Sequence, residues 1–527
     1  MSPGLLIRII VPLAVVCASH YNAPARPVSH SPDVQIRHLL NLSGSSPIRI
    51  AKDPTTHLLY ILKSSGSIYQ LNLGEDGNPF TADLVYNASH HGVTGVAGFA
   101  IGPDGTFYLV GNASQNNNSQ NVVTIRKGVP GPGGGRVWSL LARADPYPRS
   151  PSIFNHNANA IIISPDGRHA FVHIGSRTDH GEDQGGHREV GLTTRILRLP
   201  ADATDLTLPT DRDRLHAAGF LFAEGFRNTF DLAFDARGRL FGTENGPDRD
   251  MPEELNWIRE GHHYGFPWRM GADDNPQQFP DYDPAQDLLL DPDYNAVQNN
   301  YYHNDPSFPP PPMAFTDPVL NVGPDADSFR DSTTGEIADA SDLGLTLSTF
   351  TAHRSPLGLV FDTLESLNQE YRGDGFVLSW TRGDPDGDSF AGPFKDPSQD
   401  LLHLDLSPLG DTNFQARVTR LVGNFSNPID AEMIGNRIYV LEWGGDQGVW
   451  EISLPADPVL RIRHNTSGIL HLTLTGETGA SYDMETSTDL DAWTFHENLT
   501  PVTGIIEIEE PLPAGPSHRF YRAVPSD

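Results

Sequence analysis

AIIISPDGRHAFVHIG, residues 160–175, places two apolar runs on either side of a Pro-Asp-Gly turn. Gly tolerates the positive φ that tight hairpin turns require, and Pro and Asp favour turns as well. The Ile, Val, Phe and Ala residues in the flanking runs are typical of strands that are buried on one or both faces. The stretch therefore predicts a β-hairpin in the interior of the protein.

The same unit of strand, tight turn and strand recurs along the chain. Six such units lie between about residues 40 and 455, at 48–73, 98–111, 160–175, 231–242, 358–380 and 433–454. The 50 glycines and 44 prolines fit a chain with many turns. Repeated hairpin sheets of this kind are typical of a β-propeller, in which each sheet forms one blade. We therefore predict an all-β protein in which residues 30–455 form a six-bladed β-propeller.

Two segments depart from this repeat. Residues 265–345 are rich in Pro, Asp, Asn and aromatic residues. A disordered linker would contain few aromatic residues, so we expect a long, irregular but ordered insertion that lies over one face of the propeller. Residues 456–527 return to short alternating strands, which predict a small C-terminal Ig-like β-sandwich. We interpret it as a structural, sorting or attachment module.

The charge of the chain excludes one class of partner. Acidic residues outnumber basic ones 67 to 36, and the formal net charge is −31. Nucleic-acid binding needs clustered Lys and Arg, so we expect no nucleic-acid partner. The surplus of carboxylates suits a secreted protein and provides many oxygen ligands for calcium.

The N-terminal segment predicts export. Residues 1–18 contain one Arg, a short apolar run and Val16-Cys17-Ala18, the pattern of a signal-peptidase site. The run is too short for a transmembrane helix, and we see no later transmembrane segment. We therefore expect a signal peptide and a secreted or periplasmic protein. Lipidation of Cys17, the only cysteine, is the alternative.

Several motifs together resemble one family. Arg227-Asn228 precedes a predicted strand and Gly246-Pro247 follows it; further on come Glu-Leu-Asn at 254–256 and Tyr264-Gly265. His156 precedes the turn at 165–167, and AHRSPLGLVFD (352–362) and YRGDGFVLSW (371–380) also match. These features resemble the soluble quinoprotein sugar dehydrogenases, the glucose/sorbosone dehydrogenase family. Its members are six-bladed propellers that bind pyrroloquinoline quinone (PQQ) with calcium.

The resemblance implies two catalytic residues. His156 matches the general base that removes the hydroxyl proton of a sugar, and imidazole titrates close to neutral pH. Arg227 matches a donor to the quinone oxygen, where negative charge develops. The alternatives are a histidine bonded to a loop carbonyl, and an ion pair of Arg227 with Glu224 or Asp231.

The resemblance also implies cofactor-binding residues. Asn228 would orient the quinone or cap the next strand. The family's basic residues for the quinone carboxylates are not all present, because NFSNPIDAE (424–432) has Asn427 and Ile429 near the places of two arginines. The fifth-blade lysine has no clear match either. Arg354 and Arg382 are the candidates that could supply the missing charge, together with Lys395.

Calcium ligands are implied at the Gly246-Pro247 corner, where the family uses backbone carbonyls. A solvated turn is the alternative. Glu254 and the backbone of Tyr264 match a second, structural calcium site. GDPDGD (383–388), with Asp384, Asp386 and Asp388, is a separate candidate calcium loop, although such turns are often only solvated.

Further candidate contacts to substrate or cofactor have low specificity. They are Arg177, Asp179 and His180 in the segment after the third unit, and His353.

The leading hypothesis is a PQQ- and calcium-dependent dehydrogenase that oxidises a sugar or a related alcohol or aldehyde and passes electrons to an external acceptor. A propeller that has lost the cofactor and binds carbohydrate or protein is the second hypothesis. A calcium-dependent lactonase, in which His156 acts with a metal-held water, is the third.

Overall fold

The computed structural model describes residues 26–74, 80–382, 395–464, 469–502, 504–511 and 518–526. The predicted signal peptide (1–18) and the acidic loop with Asp384, Asp386 and Asp388 lie outside these residues. Strands make up 46% of the structure and helices 5%, which confirms the prediction of an all-β protein. In the ranges given, no helix has the length and apolar character needed to cross a bilayer.

Six mainly antiparallel sheets follow one another along the described part of the chain up to residue 453, and we number them 1 to 6. Sheet 1 comprises Pro47–Lys52, Leu59–Lys63, Ile68–Asn72 and Thr81–Tyr86; sheet 2 comprises Val96–Ile101, Phe107–Gln115, Gln120–Pro130, Arg136–Ala144, Tyr147–Pro148 and Leu206–Leu208; sheet 3 comprises Ala158–Ile163, His169–Ile174, Arg195–Pro200 and Leu221–Glu224. Sheet 4 comprises Thr229–Phe234, Leu240–Glu244 and Glu254–Ile258; sheet 5 comprises Val28–Ser29, Leu320–Pro324, Pro356–Phe361, Gly375–Ser379, Leu401–Leu409 and Asn413–Gly423; sheet 6 comprises Gln35–Asn41, Pro428–Ile434, Arg437–Glu442 and Gly448–Ser453.

The six sheets form a closed ring. In sheets 1 to 4 the innermost strand is the first one in the sequence, and in sheets 5 and 6 it is Pro356–Phe361 and Pro428–Ile434. Each innermost strand contacts that of the next sheet, and the innermost strand of sheet 6 contacts that of sheet 1. The outer strand of sheet 6 is Gln35–Asn41, which pairs with Gly448–Ser453. Both ends of the ring therefore contribute to the same sheet, and backbone hydrogen bonds close it.

The core lies between neighbouring sheets. Their strands carry long runs of buried aliphatic side chains; in sheet 6, Ile438, Val440 and Ile452 are fully buried. The runs form because the strands are covered on both faces, so the sequence does not alternate between apolar and polar residues there. This explains why the repeated units read as continuous apolar segments.

Arg49 links its own sheet to four other sheets at the axis of the ring. It lies on the innermost strand of sheet 1, and its guanidinium donates to the carbonyls of Ala97 (3.1 Å), Phe230 (2.6 Å) and Asn159 (3.3 Å). These carbonyls belong to sheets 2, 4 and 3. Nη1 lies 3.7 Å from a carboxylate oxygen of Asp430 in sheet 6. The side chain is buried, so its charge depends on these acceptors in place of water.

The remaining elements lie outside the ring. Two short helices, Ala88–His91 and Arg212–Ala217, lie between strands of the ring in the sequence. The 265–345 segment adds the helix Asn295–Gln298, the 3-10 turns Pro276–Gln278, Pro284–Gln286 and Ser341–Leu343, and the hairpins Arg269–Met270 with Asp273–Asp274 and Ser328–Arg330 with Ile337–Asp339. Two three-stranded sheets follow the ring: Val459–His464, Ile469–Thr475 and Ile505–Pro511, and Tyr482–Ser487, Thr494–Leu499 and Phe520–Pro525. These two sheets share an apolar core around Leu472, Leu474 and Met484.

Replacing Arg49 by Met would leave the three carbonyls and Asp430 without their partner in the interior. We expect the free energy of unfolding to fall by about 3–5 kcal/mol, the range for removing one partner of a buried ion pair. Urea unfolding followed by tryptophan fluorescence measures the change. The matched control is Arg168→Met, at a side chain that is 77% exposed, and it should change stability by less than about 0.5 kcal/mol. Equal stability of the two variants would contradict the role of Arg49.

Candidate active site at one end of the ring

A cavity of about 330 Å³ opens where the innermost strands of sheets 3, 4 and 5 begin. Its wall combines residues that precede these strands with residues that follow the second strands of sheets 4 and 5. The lining residues are Phe154, His156, Arg227, Asn228, Asn245, Gly246, Asp248, Glu253, Tyr294, His353, Ser355 and Thr381. The structure thus brings the sequence-predicted His156, Arg227, Asn228, Gly246 and His353 together.

His156 is held in one tautomer. Its Nδ1 lies 3.0 Å from Oγ of Ser176, and the Ser176 hydroxyl donates its only proton to the carbonyl of Thr178 at 2.8 Å. Nδ1 must therefore carry the hydrogen that Ser176 accepts, which leaves the lone pair on Nε2. Burial, and then the Arg227 guanidinium, lower the pKa of His156 well below its usual value. The imidazole is thus neutral, as a general base requires.

Arg227 is anchored by Asp179. Its Nε donates to the Asp179 carbonyl and its Nη2 to the Asp179 carboxylate, both at 2.7 Å, while Nη1 donates to the carbonyl of Asn245 at 3.2 Å. The alternative partners are engaged elsewhere: Glu224 pairs with Arg195 and Arg212. A guanidinium has five N–H donors, so after these three bonds Arg227 retains two N–H groups for a ligand at the cavity wall.

Asn228 belongs to a buried amide network. Its carbonyl oxygen accepts from the Asn159 amide at 2.6 Å, and its own amide donates to the side chain of Asn245 at 3.0 Å. Glu244 accepts from the backbone N–H groups of Arg227 (2.5 Å) and Asn228 (2.6 Å). Burial raises the pKa of Glu244 to about 8. The orientation of Asn228 is therefore set by groups behind the cavity wall.

The Gly246-Pro247 corner offers two backbone oxygens. The N–H of Gly246 donates to the Glu253 carboxylate at 3.1 Å. Within the described ranges, the carbonyls of Gly246 and Pro247 accept no hydrogen bond. Their oxygens are the kind of ligand that calcium accepts. Gly246 does not adopt positive φ, so its backbone conformation is open to other residues.

Two carboxylates stand beside this corner. Burial raises the pKa of Glu253 to about 7, although Glu253 also accepts from the N–H of Ser355 at 2.6 Å. Burial and the neighbouring Asp179 carboxylate raise the pKa of Asp248. Both carboxylates lack enough positive charge nearby, and a bound cation would supply it.

His353 closes another side of the cavity. Its Nε2 lies 2.8 Å from the Asp250 carboxylate, and its ring stacks on Tyr294 with 4.4 Å between centroids. Burial opposes protonation, but the bond to Asp250 raises the pKa of His353 above its usual value. Tyr294 comes from the 265–345 segment, so this segment contributes directly to the cavity.

The structure directs Arg354 away from the cavity. Its guanidinium is fully buried and is bonded to Asp396 at 2.6 Å and to both oxygens of Asp400 at 2.7 Å. This pairing leaves it no contact with the cavity, so the expected role of Arg354 in cofactor binding is not supported by its position. Arg382 is exposed and follows Thr381 at the cavity wall. Its role in cofactor binding stays a prediction.

The two positions without the family's arginines also lie off the cavity wall. Asn427 donates to the carbonyl of Trp380 at 3.1 Å, and Ile429 is buried among apolar side chains. Asp430 accepts from the N–H of Ile50 at 2.7 Å, at the axis of the ring. These residues support sheets 5 and 6 and do not line the cavity.

Glu254 and Tyr264 lie outside the cavity lining. The Glu254 carboxylate accepts from the N–H of Gly271 (2.7 Å) and from Asn256 (2.8 Å), and burial raises its pKa to about 7. Oδ1 of Asn256 is buried and has no hydrogen-bond partner among the residues that the structure describes. The Tyr264 hydroxyl donates to the carbonyl of Trp257 at 2.6 Å. The second calcium site stays a prediction for this group.

Arg177, Asp179 and His180 lie beneath the wall and do not line it. Arg177 donates to backbone carbonyls such as that of Pro148, at 3.0 Å. His180 bonds to Asp179 at 2.9 Å and stacks on Tyr302 with 3.7 Å between centroids. Asp179 positions Arg227 and is itself bonded to His180, whereas Arg177 only binds loop carbonyls. The expectation of direct contact is not supported by the positions of these three residues.

Sequence reasoning missed several lining residues. Glu253 and Asp248 lie within a few residues of the Gly246-Pro247 corner, and their proximity to the corner was the available signal. Phe154, Tyr294 and Thr381 lie on loops from three different parts of the chain. No motif marks them, because loop conformation brings them together.

The described lining suits a cation better than a polyanion. Of these residues, Arg227 is the one arginine or lysine, against the carboxylates of Asp248 and Glu253. The free carbonyl oxygen of Gly246 and the carboxylates of Asp248 and Glu253 on this lining are hard-oxygen donors of the kind that calcium prefers. Pro247 is not part of this lining; it lines a small separate cavity with His180 and Tyr302. For the carboxylates of PQQ, this part of the wall offers the two free N–H groups of Arg227 and the imidazole of His353, whose pKa lies above its usual value despite burial because of the bond to Asp250. Arg382 lies at the margin of the cavity and is the further source of positive charge.

The chain was compared with known proteins. A family described as Glucose / Sorbosone dehydrogenase matches residues 46–317, just over half of the chain. Quinoprotein glucose dehydrogenase B of Acinetobacter calcoaceticus is 24% identical in an alignment of 275 residues that covers 46% of this chain and 54% of that protein. The chain thus spans about half the length of this curated relative.

Two solved structures are similar to this chain over most of its length. The PQQ-bound form of aldose sugar dehydrogenase from Streptomyces coelicolor is 17% identical, with a TM-score of 0.46 and coverage of 82% of this chain and 99% of that chain. The holo form of the pyranose dehydrogenase PQQ domain from Coprinopsis cinerea is 11% identical, with a TM-score of 0.49 and coverage of 81% and 97%.

The resemblance carried by His156, Arg227-Asn228 and Gly246-Pro247 is confirmed by the family match, which spans all of these residues. The chain belongs to the glucose/sorbosone dehydrogenase family.

Proposed function

We propose that the protein is a PQQ- and calcium-dependent dehydrogenase that oxidises a sugar or a related alcohol or aldehyde. The observation that carries this proposal is His156, which is neutral, fixed in one tautomer and placed on the same cavity wall as Arg227 and the Gly246 corner. Membership of the family supports it. The quinone, when bound, supplies a two-electron acceptor for the substrate hydride. An external acceptor would reoxidise it.

His156 carries the proton chemistry. Nε2 removes the proton of the substrate hydroxyl, while Ser176 accepts from Nδ1–H and keeps the ring in place. Arg227 binds a ligand oxygen through its two remaining N–H groups, and Asp179 fixes the direction of these groups. Asn228 orients the ligand from the side through its amide network. These residues position and deprotonate the substrate.

Calcium would bind at the Gly246-Pro247 corner, through the two backbone carbonyls. The raised pKa of the Glu253 carboxyl supports a cation beside it, because a positive charge would offset the burial of the carboxylate. The second calcium at Glu254 and Tyr264 is a further part of the proposal, supported by the orphaned oxygen of Asn256 next to Glu254.

The fold supports the same function. We interpret the ring of six sheets as a six-bladed β-propeller and the two C-terminal sheets as a small β-sandwich. Both interpretations rest on sheet order and shared cores. Secretion or periplasmic localisation follows from the predicted signal peptide at 1–18.

Titration of metal-stripped protein with PQQ, with and without calcium, tests the function. We expect saturable uptake that depends on calcium, together with dye reduction by aldoses. His156→Gln should keep the uptake and lower turnover by roughly 10²- to 10⁴-fold, the usual contribution of a general base. His216→Gln, at an exposed histidine, is the control and should be fully active. Absence of uptake at micromolar PQQ would contradict the proposal and favour a propeller that only binds.

The lowered pKa of His156 predicts a pH profile. A base works in its neutral form, so activity falls only when pH drops through the folded pKa, which lies well below 6.5. With calcium and PQQ at saturating concentrations, where the cation favours the ionised form of Glu253, we expect kcat/KM for dye-linked oxidation to change little between pH 7.5 and 6.0. An unperturbed histidine would retain only about a quarter of its activity over this range. A half-loss near pH 6.5 would contradict a buried neutral base.

Glu253→Gln tests the cation at the corner. Ligand binding raises stability by roughly 2.7 kcal/mol at a hundredfold excess over Kd, so calcium should raise the Tm of the wild-type protein. We expect Glu253→Gln to weaken calcium binding at least about tenfold, which corresponds to ~1.4 kcal/mol. Glu260→Gln is the matched control, since this side chain is 59% exposed. A calcium response in Glu253→Gln equal to that of the control would rule out this carboxylate as a partner of the metal.

A further inference from the structure

Trp443 is exposed on the end of the ring that holds the cavity. All seven tryptophans lie in the described residues, and Trp443 alone is exposed, at 43% of its surface. Its ring contacts that of Trp380, with 5.1 Å between centroids and 59° between planes. Trp380 is half-buried and packs on the apolar core around Leu357 and Ile429. The inner tryptophan therefore fixes the position of the outer one.

The tryptophan pair adjoins the cavity through short backbone links. The N–H of Trp380 donates to the carbonyl of Ser355 at 3.0 Å, and Ser355 and Thr381 both line the cavity. Asn427 joins the two tryptophans, because its amide donates to the carbonyl of Trp380 at 3.1 Å and its carbonyl accepts from the N–H of Trp443 at 3.0 Å. Trp380 and Trp443 thus follow the second strands of sheets 5 and 6, next to the cavity wall at Ser355 and Thr381.

The turn that carries Trp443 is fixed before any ligand binds. The N–H of Gly444 donates to the carbonyl of Ser426 at 3.1 Å, and the N–H of Gln447 donates to the carbonyl of Gly444 at 2.9 Å. Gly445 has a φ of +53°, and a Cβ there would approach Ser426 Oγ to 2.8 Å. Asp446 is exposed in the same turn, three residues after Trp443 in the sequence.

A flat indole face with a carboxylate in the same turn suits a pyranose ring. One face of many pyranoses is lined by C–H groups, which lose water on contact with an aromatic ring, while the hydroxyls at the rim need hydrogen-bond acceptors. An indole is rigid, so little side-chain entropy is lost on binding. An isolated exposed tryptophan is otherwise a costly apolar surface in water.

We propose that Trp443, supported by Trp380, forms a second sugar subsite beside the cavity. Its occupant is the neighbouring pyranose unit of an oligosaccharide whose reacting unit lies in the cavity. The identity of the reacting unit rests on the proposed function, whereas the stacking of a pyranose on Trp443 does not.

Binding of methyl glycosides tests the subsite without turnover. The methyl glycosides of cellobiose and maltose are titrated against methyl glucosides on the full chain loaded with calcium and PQQ, by calorimetry. We expect at least one disaccharide to bind about tenfold or more tightly than its monosaccharide. Trp443→Ala should abolish this ratio and Trp443→Phe should keep most of it. Trp493→Ala, a half-buried tryptophan of the C-terminal sheets, is the matched control and should leave it unchanged.

The outcomes separate the two proposals. A ratio that persists in Trp443→Ala, or equal binding of disaccharides and monosaccharides by the wild-type protein, would overturn the subsite. Retained disaccharide preference without any dye reduction would support the subsite and overturn the proposed oxidation. Circular dichroism of Trp443→Ala confirms that the variant is folded, and Trp443→Phe gives an independent reading if it is not. If the protein oxidises sugars, kcat/KM for the reducing disaccharide should fall in Trp443→Ala while that for the monosaccharide stays within about twofold.

Discussion

The guanidinium of Arg49 is the contact on which the geometry of the ring depends. It satisfies carbonyl oxygens of sheets 2, 3 and 4 and lies next to Asp430 of sheet 6. A planar group with five donors in a fixed fork can bond several converging strands from different directions, whereas a lysine offers three donors from a single nitrogen. The effect reaches the cavity, because Asn159 accepts from Arg49 through its backbone and donates to Asn228 through its side chain. The axis and the candidate active site are therefore parts of one hydrogen-bonded network.

The electrostatics of the cavity follow from its position at the end of buried strands. Carboxylates there are removed from water, which raises the pKa of Glu253 and Glu244 and opposes their ionisation. The same burial keeps His156 neutral. One physical cause thus prepares both a base and a site that favours a cation. Asp179 forms an ion pair with Arg227 from behind the wall, at 2.7 Å.

Local chemistry explains which features could be predicted from the sequence. The Pro-Asp-Gly and Arg-Gly turns were visible because Gly105, Gly167 and Gly238 need positive φ, and all three adopt it. The cluster of His156, Arg227 and Gly246 was found through matching motifs. Long-range pairing was not accessible in this way: nothing near Arg354 in the sequence indicates Asp396 and Asp400 as its partners. Tyr294 and Trp443 likewise acquire their positions from loop packing, which leaves no local signal.

The closure of the ring has a consequence for the order in which the chain can fold. In sheets 1 to 4 the strands that form the ring follow one another closely along the chain, so these sheets can form as soon as their segments are available. Sheet 6 pairs strands from opposite ends of the ring-forming sequence. Arg37 bonds to Glu451, which is 414 residues further along the chain. The strand Gln35–Asn41 therefore stays unpaired until the last three strands have formed. An unpaired strand edge can form hydrogen bonds with another chain and so promote aggregation. A circular permutation that transfers residues 35–41 to a position after residue 453 would make this sheet local as well.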